Sequence, residues 1–114
     1  MEIFGDVITT LQKAMDMRMI QQHVIASNLA NIDTPGYVAQ RMDFKTSLVN
    51  ALDGAAEPVE IASSTAPPLT LDGNNVDLEG ELSEMSHNRF MYDLTARLMR
   101  AKFQQVTDIL DREP

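Results

Sequence analysis

The sequence predicts a mainly α protein in which two long amphipathic terminal helices form an antiparallel coiled-coil-like pair, joined by a largely irregular acidic middle segment. Three observations lead there. Apolar residues recur at alternating steps of three and four near each end of the chain, the narrow seam expected of paired helices. A proline-glycine stop follows the first stripe. The excess negative charge is confined to the stretch between the stripes.

The N-terminal stripe runs Met1, Phe4, Ile8, Leu11, Met15, Arg18, Gln22, Ile25, Leu29 and Ile32, eight of the ten being apolar, with Val7, Ala14, Met19 and Ala26 widening it. A helix from about Ile3 to Asn31 is roughly 43 Å long at the α-helical rise. Residues 1–33 form this first element. Asp33-Thr34-Pro35-Gly36-Tyr37 ends it, because Pro35 lacks an N–H and biases Thr34 away from α, while Gly36 supplies the positive φ of a type II turn.

The C-terminal stripe, Leu78, Leu82, Met85, Arg89, Tyr92, Ala96, Met99, Phe103, Val106 and Leu110, is apolar at nine of ten positions. The expected intrachain seam therefore sets Leu11, Met15, Ile25 and Leu29 against Met85, Tyr92, Met99, Phe103 and Val106. Asn75 or Asp77 caps the start of this element (residues 75–114), and Asp77, Glu79 and Glu81 suit the positive end of the helix dipole. Gly80 weakens the first turn by roughly 1 kcal/mol against Ala. A helix from Val76 to Leu110 is roughly 52 Å long.

Residues 34–74 lack that periodicity. They comprise the turn, a segment compatible with a short helix at 43–52, a brief extended stretch at Pro58–Ala62, and loops rich in Ser, Pro, Gly and Asn. Much of 53–74 is expected to be mobile when the protein is alone.

A helix pair covers one stripe on each member, and the C-terminal helix carries a second one: Phe90, Met91, Leu94, Leu98, Ala101 and Ile109. Each large side chain left facing water gains on the order of 1.5–3 kcal/mol when covered. The sequence therefore asks for other chains, with a monomeric bundle using the middle segment as third helix as the competing arrangement. Arg18, Gln22 and Arg89 interrupt the two seams. With Ile32 level with Leu78, Gln22 lies near Arg89, a polar layer able to fix register, with Asp93 helping to balance Arg18.

Composition narrows the chemistry. The chain has 114 residues, 17 acidic and 9 basic, for a formal charge of −8. From Thr46 to Asn88 there are eight acids and no Lys or Arg, so that stretch carries the whole excess. Nucleic acid is disfavoured, since phosphate backbones need clustered bases. With no Cys there is no disulfide or thiolate site. His23 and His87 show no metal spacing and fall on polar helix faces, no calcium-loop pattern is present, and neither a nucleophile elbow nor a glycine-rich phosphate loop occurs. Nothing favours an enzyme, a cofactor or a small-molecule substrate. No run reaches the roughly 20 apolar residues of a membrane span, and the start lacks the features of a cleaved signal.

The segment Asn28-Leu29-Ala30-Asn31-Ile32-Asp33-Thr34-Pro35-Gly36-Tyr37, closing an amphipathic helix, resembles the signature of the bacterial flagellar rod and hook axial protein family. Asp72-Gly73-Asn74-Asn75-Val76-Asp77-Leu78-Glu79, followed by Glu81 and Met85, is similar to the start of the C-terminal helix in the family's proximal rod member. The first bases after Tyr37 are Arg41 and Lys45, later than in many relatives. The resemblance implies a structural subunit of the flagellar basal body, exported without a cleaved signal by the flagellar type III apparatus and assembled into the periplasmic rod. Implied partners are other copies, the rod protein FlgC, the rod adaptor FliE, the FliF ring and the export apparatus. It gives Asn28, Ala30, Asn31, Asp33, Thr34, Pro35, Gly36 and Tyr37 the shaping of the first helix exit, with Asn28 and Asn31 on free backbone groups and Tyr37 packed back. Asn74, Asn75, Val76 and Asp77 start the second helix, and Phe90, Met91, Leu94, Leu98 and Ile109 meet neighbouring subunits. The alternative is a helical export chaperone or adaptor that holds another protein's disordered segment.

Overall fold

The computed structural model describes residues 2–112; Met1, which heads the first stripe, and Glu113 and Pro114, which close the C-terminal element, lie outside them. The chain runs α1 (Glu2–Ala30), β1 (Gln40–Met42), α2 (Phe44–Leu52), β2 (Ile61–Ser63) and α3 (Leu78–Asp111). Phe4 meets Phe103 edge-on, with ring centroids 6.1 Å apart, while Asn28 reaches Glu81, so α1 and α3 are antiparallel along their length. The result is a rod of 71 × 27 × 15 Å. Its radius of gyration of 18.4 Å exceeds the roughly 13 Å of a compact chain this long.

The middle segment is more ordered than its sequence pattern suggests. Asp43 caps α2 by accepting from the Thr46 N–H at 3.0 Å and the Thr46 hydroxyl at 2.8 Å. The other end closes as a Schellman motif on Gly54, at φ +81°, with the Ala55 N–H donating to Asn50 O and the Gly54 N–H to Ala51 O. β1 and β2 pair antiparallel, with Arg41 opposite Ala62. The buried Ser47 hydroxyl accepts the Glu60 N–H at 2.9 Å, tying α2 to the ribbon.

This small module supplies a second face for α1. Met17, Met42 and Ala51 form its buried centre, packed by Ile20, Val24, Phe44, Leu48 and Val59. α1 thus packs against both the module and α3, and β1 also reaches α3 through the Arg41–Glu81 ion pair. Burying so much of Met17 makes it a position where truncation to Ala typically costs about 2–5 kcal/mol.

The seam on α3 is rotated from the one expected. Residues 81, 85, 88, 92, 95, 99, 102 and 106 form one buried or half-buried line, in which Met85, Tyr92, Met99 and Val106 alternate with polar Glu81, Asn88, Thr95 and Lys102, and Gly80, Met91 and Ala96 are half-buried beside it. Leu78 and Leu82 are 50 % and 47 % exposed instead of being seam members, and Phe103 keeps half its surface exposed despite touching Phe4. On α1, Ile25 is buried and Leu11, Met15 and Leu29 are half-buried.

Candidate functional site

The two sequence signatures, separated by more than 30 residues, meet in space and form one polar clasp where α1 ends and α3 begins. Asn28 is its centre. Its Oδ1 accepts from the Tyr37 hydroxyl and the Gln40 N–H, each at 2.9 Å, while its Nδ2 donates to Gln40 O at 2.9 Å and Glu81 Oε1 at 3.2 Å. All four hydrogen-bonding positions of the amide are used, and the side chain is fully buried. Asn28 therefore binds the β1 edge rather than the helix end, and Asn31 Nδ2 donates at 2.8 Å to Ser27 O, a carbonyl that also accepts the Asn31 N–H at 3.1 Å.

The turn after α1 is closed by the Tyr37 N–H donating to Thr34 O at 3.2 Å, with Gly36 at φ +71°. Asn74 grips this turn from the other signature: its Nδ2 donates to Asn31 O at 2.8 Å and Thr34 O at 2.9 Å. Its Oδ1 accepts the Val76 N–H at 2.8 Å. Asn75 accepts the Ala39 N–H at 2.7 Å and donates to Ala66 O at 3.0 Å. Gly73, at φ +87°, lies beside Gly36: a Cβ on it would be in ordinary contact, 3.7 Å from the Gly36 Cα, so it is the positive φ that calls for glycine there. Asp72 accepts from the Thr70 hydroxyl and the Asn74 N–H, and these bonds, the hydroxyl first, hold its carboxyl below the usual carboxylate range. Ala30, Asp33, Thr34, Pro35 and Gly36 are exposed around the clasp, and Val76 is buried beneath it.

Neither expected cap acts through its side chain at the start of α3. Asp77 occupies the N-cap position without a side-chain hydrogen bond, and Asn75 serves Ala39 and Ala66. A Cβ on Gly80 would lie 2.8 Å from Asp77 Oδ2, so this glycine leaves room for the cap residue's carboxylate.

Glu81 is the residue that sequence reasoning missed as a site member. It is fully buried, accepts from Asn28, and forms an ion pair with Arg41 of β1, whose side chain is half exposed. The second carboxylate oxygen, Oε2, is buried without a hydrogen-bond partner. An acid three residues after Leu78 reads as helix-dipole charge; only a seam drawn through 81, 85 and 88 would have flagged it.

One turn and more along the pair lies a polar layer at the expected height. Asn88, not Arg89, makes the contact: its Nδ2 donates to Arg18 O and to Gln22 Oε1, each at 2.8 Å, and its Oδ1 is buried unpaired. Arg89 lines the same shallow depression as Arg18, Gln22 and Tyr92. The Arg18 guanidinium stacks on the Phe44 ring, 3.6 Å from its centroid. Burial lowers its pKa from the ordinary value and the Glu84 carboxylate partly offsets this, so Glu84, rather than Asp93, is the acid acting on Arg18.

Among the described residues no group of three or more metal-ligating side chains exists, and no helix is long and apolar enough to cross a membrane. His23 and His87 are exposed. On the face of α3 away from α1, Phe90 and Ile109 are 65 % and 60 % exposed, with Leu94 and Leu98 also exposed and Met91 half-buried.

Fold and clasp together define an elongated antiparallel helical hairpin with a small module docked on its first helix. Residues 8–37, which include most of the Asn28-to-Tyr37 signature's helix and all of its turn, match the family model of flagella basal body rod proteins. The chain is similar over nearly its whole length to flagellar basal body rod protein FlgB of Bacillus subtilis, 30% identical with 96% of this chain and 97% of that protein covered. It is 31% identical to FlgB of Aeromonas hydrophila, with 90% of each covered, and 25% identical to FlgB of Escherichia coli, with 87% and 88% covered. The chain belongs to the FlgB family of flagellar basal body rod proteins.

Proposed function

We propose that this protein is a structural subunit of the proximal rod of the flagellar basal body, self-assembling through its terminal helices into the drive shaft that transmits torque. The observation that carries the reading is the joining of the two signatures in one clasp, on a chain whose full-length relatives are rod proteins. The clasp sets the angle between α1 and α3 without enclosing a ligand site, which suits a part whose work is to hold shape within a stack.

In this reading α1 and α3 pair within the subunit, and Phe90, Met91, Leu94, Leu98 and Ile109 face neighbours. Those neighbours are other copies, FlgC, FliE and the FliF ring, and the subunit reaches the periplasm through the flagellar export apparatus without a cleaved signal. No catalytic role belongs to it. The test is complementation of a strain lacking its own FlgB, followed by purification of basal bodies. The chain is expected in the rod fraction and swarming is expected to return. A chain found only in the cytoplasm, bound to another export substrate, would replace this reading with that of a chaperone.

A further inference from the structure

Residues 74–112 are held to the body of the molecule by contacts that do not depend on the chain that connects them to it. Glu81 meets Asn28 and Arg41, Asn88 meets Gln22 and the Arg18 carbonyl, Phe103 touches Phe4, and Asn74 grips the turn after α1. All these partners lie in α1, that turn or β1. The covalent tie is a loop that leaves and returns at one place: the Ser64 N–H donates to Ala39 O at 2.7 Å, and Asn75 accepts the Ala39 N–H. Between those two anchors residues 65–72 are all exposed.

The loop's own bias is toward an extended chain. Ala66 and Pro67 each precede a proline, which steers both away from α, and two consecutive prolines make a stiff spacer. Reversal is left to Thr70–Gly73, closed by the Gly73 N–H on Thr70 O at 3.2 Å with Gly73 at φ +87°. With that turn opened, residues 64–73 reach roughly 30 Å, and the rod is 27 Å wide. An opened chain can therefore lay its α3 on the α1 of a rod lying alongside. Exchange rebuilds the contacts of Asn74, Glu81, Asn88 and Phe103 between copies. What it gives up is the turn and the loop's bonds to Asn74 and Asn75, such as the Leu69 N–H on Asn74 O at 2.8 Å and Asn75 Nδ2 on Ala66 O at 3.0 Å.

We propose that two copies of this chain exchange α3, residues 64–73 straightening into the connection and the clasp forming between copies. The product is a closed two-fold pair, and the surface that receives the partner's α3 is the α1 seam itself. Closure within one chain gains from the high effective concentration of tethered ends, so the monomer prevails when dilute. The exchange stands apart from the rod reading: it is a property of the free protein and holds whether or not the chain enters a basal body.

The chain has no Cys, so one engineered link can read the exchange. The full chain is unfolded in urea and refolded at about 1 mM, near the effective concentration of a short tether. Sedimentation is expected to show a dimer that keeps the helical circular dichroism of the monomer. The variants Phe4→Cys and Phe103→Cys, unfolded together, refolded in the same way and oxidised, should give a disulfide-linked dimer that joins one variant to the other, because α1 of one copy then lies on α3 of its partner. Gly73→Pro removes both the positive φ and the N–H that close the turn, and should lower the concentration needed for the dimer by at least about tenfold. A parent that stays monomeric after refolding at high concentration, a dimer in which the two cysteine variants do not link to each other, or a folded Gly73→Pro chain no more dimeric than the parent would each overturn the proposal. Should Gly73→Pro lose its helix, the parent and the cysteine pair decide alone.

Discussion

At the scale of single residues the clasp depends on amides that are fully committed. Asn28 matches both the N–H and the C=O of Gln40, as a neighbouring strand would, and its two remaining positions go to Tyr37 and Glu81. Asn28→Ala leaves these partners buried without a replacement, an expected loss of about 2–4 kcal/mol read as a lowered urea midpoint at unchanged slope. Asn28→Asp has nearly the same shape but points oxygen at both Gln40 O and Glu81; at neutral pH it should do no better than Ala. A fully stable Asp variant would show that shape alone matters there. The Glu81–Arg41 pair is unequal, since one member is fully buried and the other half exposed. Removing the exposed member strands a buried charge. Arg41→Ala is therefore expected to destabilise more than Glu81→Gln, and the double variant should recover part of the Arg41→Ala loss; simple additivity in a urea double-mutant cycle would refute that coupling.

At the scale of elements, the turns and caps have separable effects. Gly36→Ala meets no close atom, its Cβ lying 3.9 Å from Asp72 O, so its cost comes from φ +71° alone, about 1–2 kcal/mol by chemical denaturation. The Asp43 cap adds a pH signature. Its carboxyl is held below the ordinary range, first by the Thr46 N–H and then by the Thr46 hydroxyl. A depressed folded value means the cap's contribution is complete above the unfolded value of about 3.9 and is lost as pH falls through the lowered one. Asp43→Asn keeps an acceptor but cannot titrate, so its midpoint should fall less steeply with acid than the parent's. Both long helices, their antiparallel sense and nearly their register were legible, because apolar periodicity and the Pro35-Gly36 stop are local signals. The seam's true line was not. Glu81, Asn88, Thr95 and Lys102 occupy every second seam position, and polar side chains there are hidden from any search for apolar stripes. β1 was equally silent, since Gln40-Arg41-Met42 becomes a strand through Asn28 on one side and Ile61–Ser63 on the other. The two signatures were each visible, but their meeting is a tertiary fact.

At the scale of the molecule, burial is graded along the rod. The module, the clasp and the polar layer crowd around residues 17–28 and 81–88, while from 104 to 112 only Val106 is other than exposed. Amide exchange should therefore be slowest in 17–28 and 81–99 and fastest in 104–112 and the 65–72 loop, with the first turn of α1 close behind. Uniform protection along α3 would contradict this gradient.

The position of the clasp has a mechanical meaning. Residues 2 and 112 lie toward the open end of the hairpin, and the clasp sits at the far end, so the molecule is a pair of tweezers with its pivot at Asn28 and Glu81. A force drawing the tips apart does not shear the seam all at once. It peels the contacts one after another, Phe4 from Phe103 early and Asn28 from Glu81 near the last. The tips can spread and close again while the pivot stays latched, and the angle of the arms survives the loss of their grip.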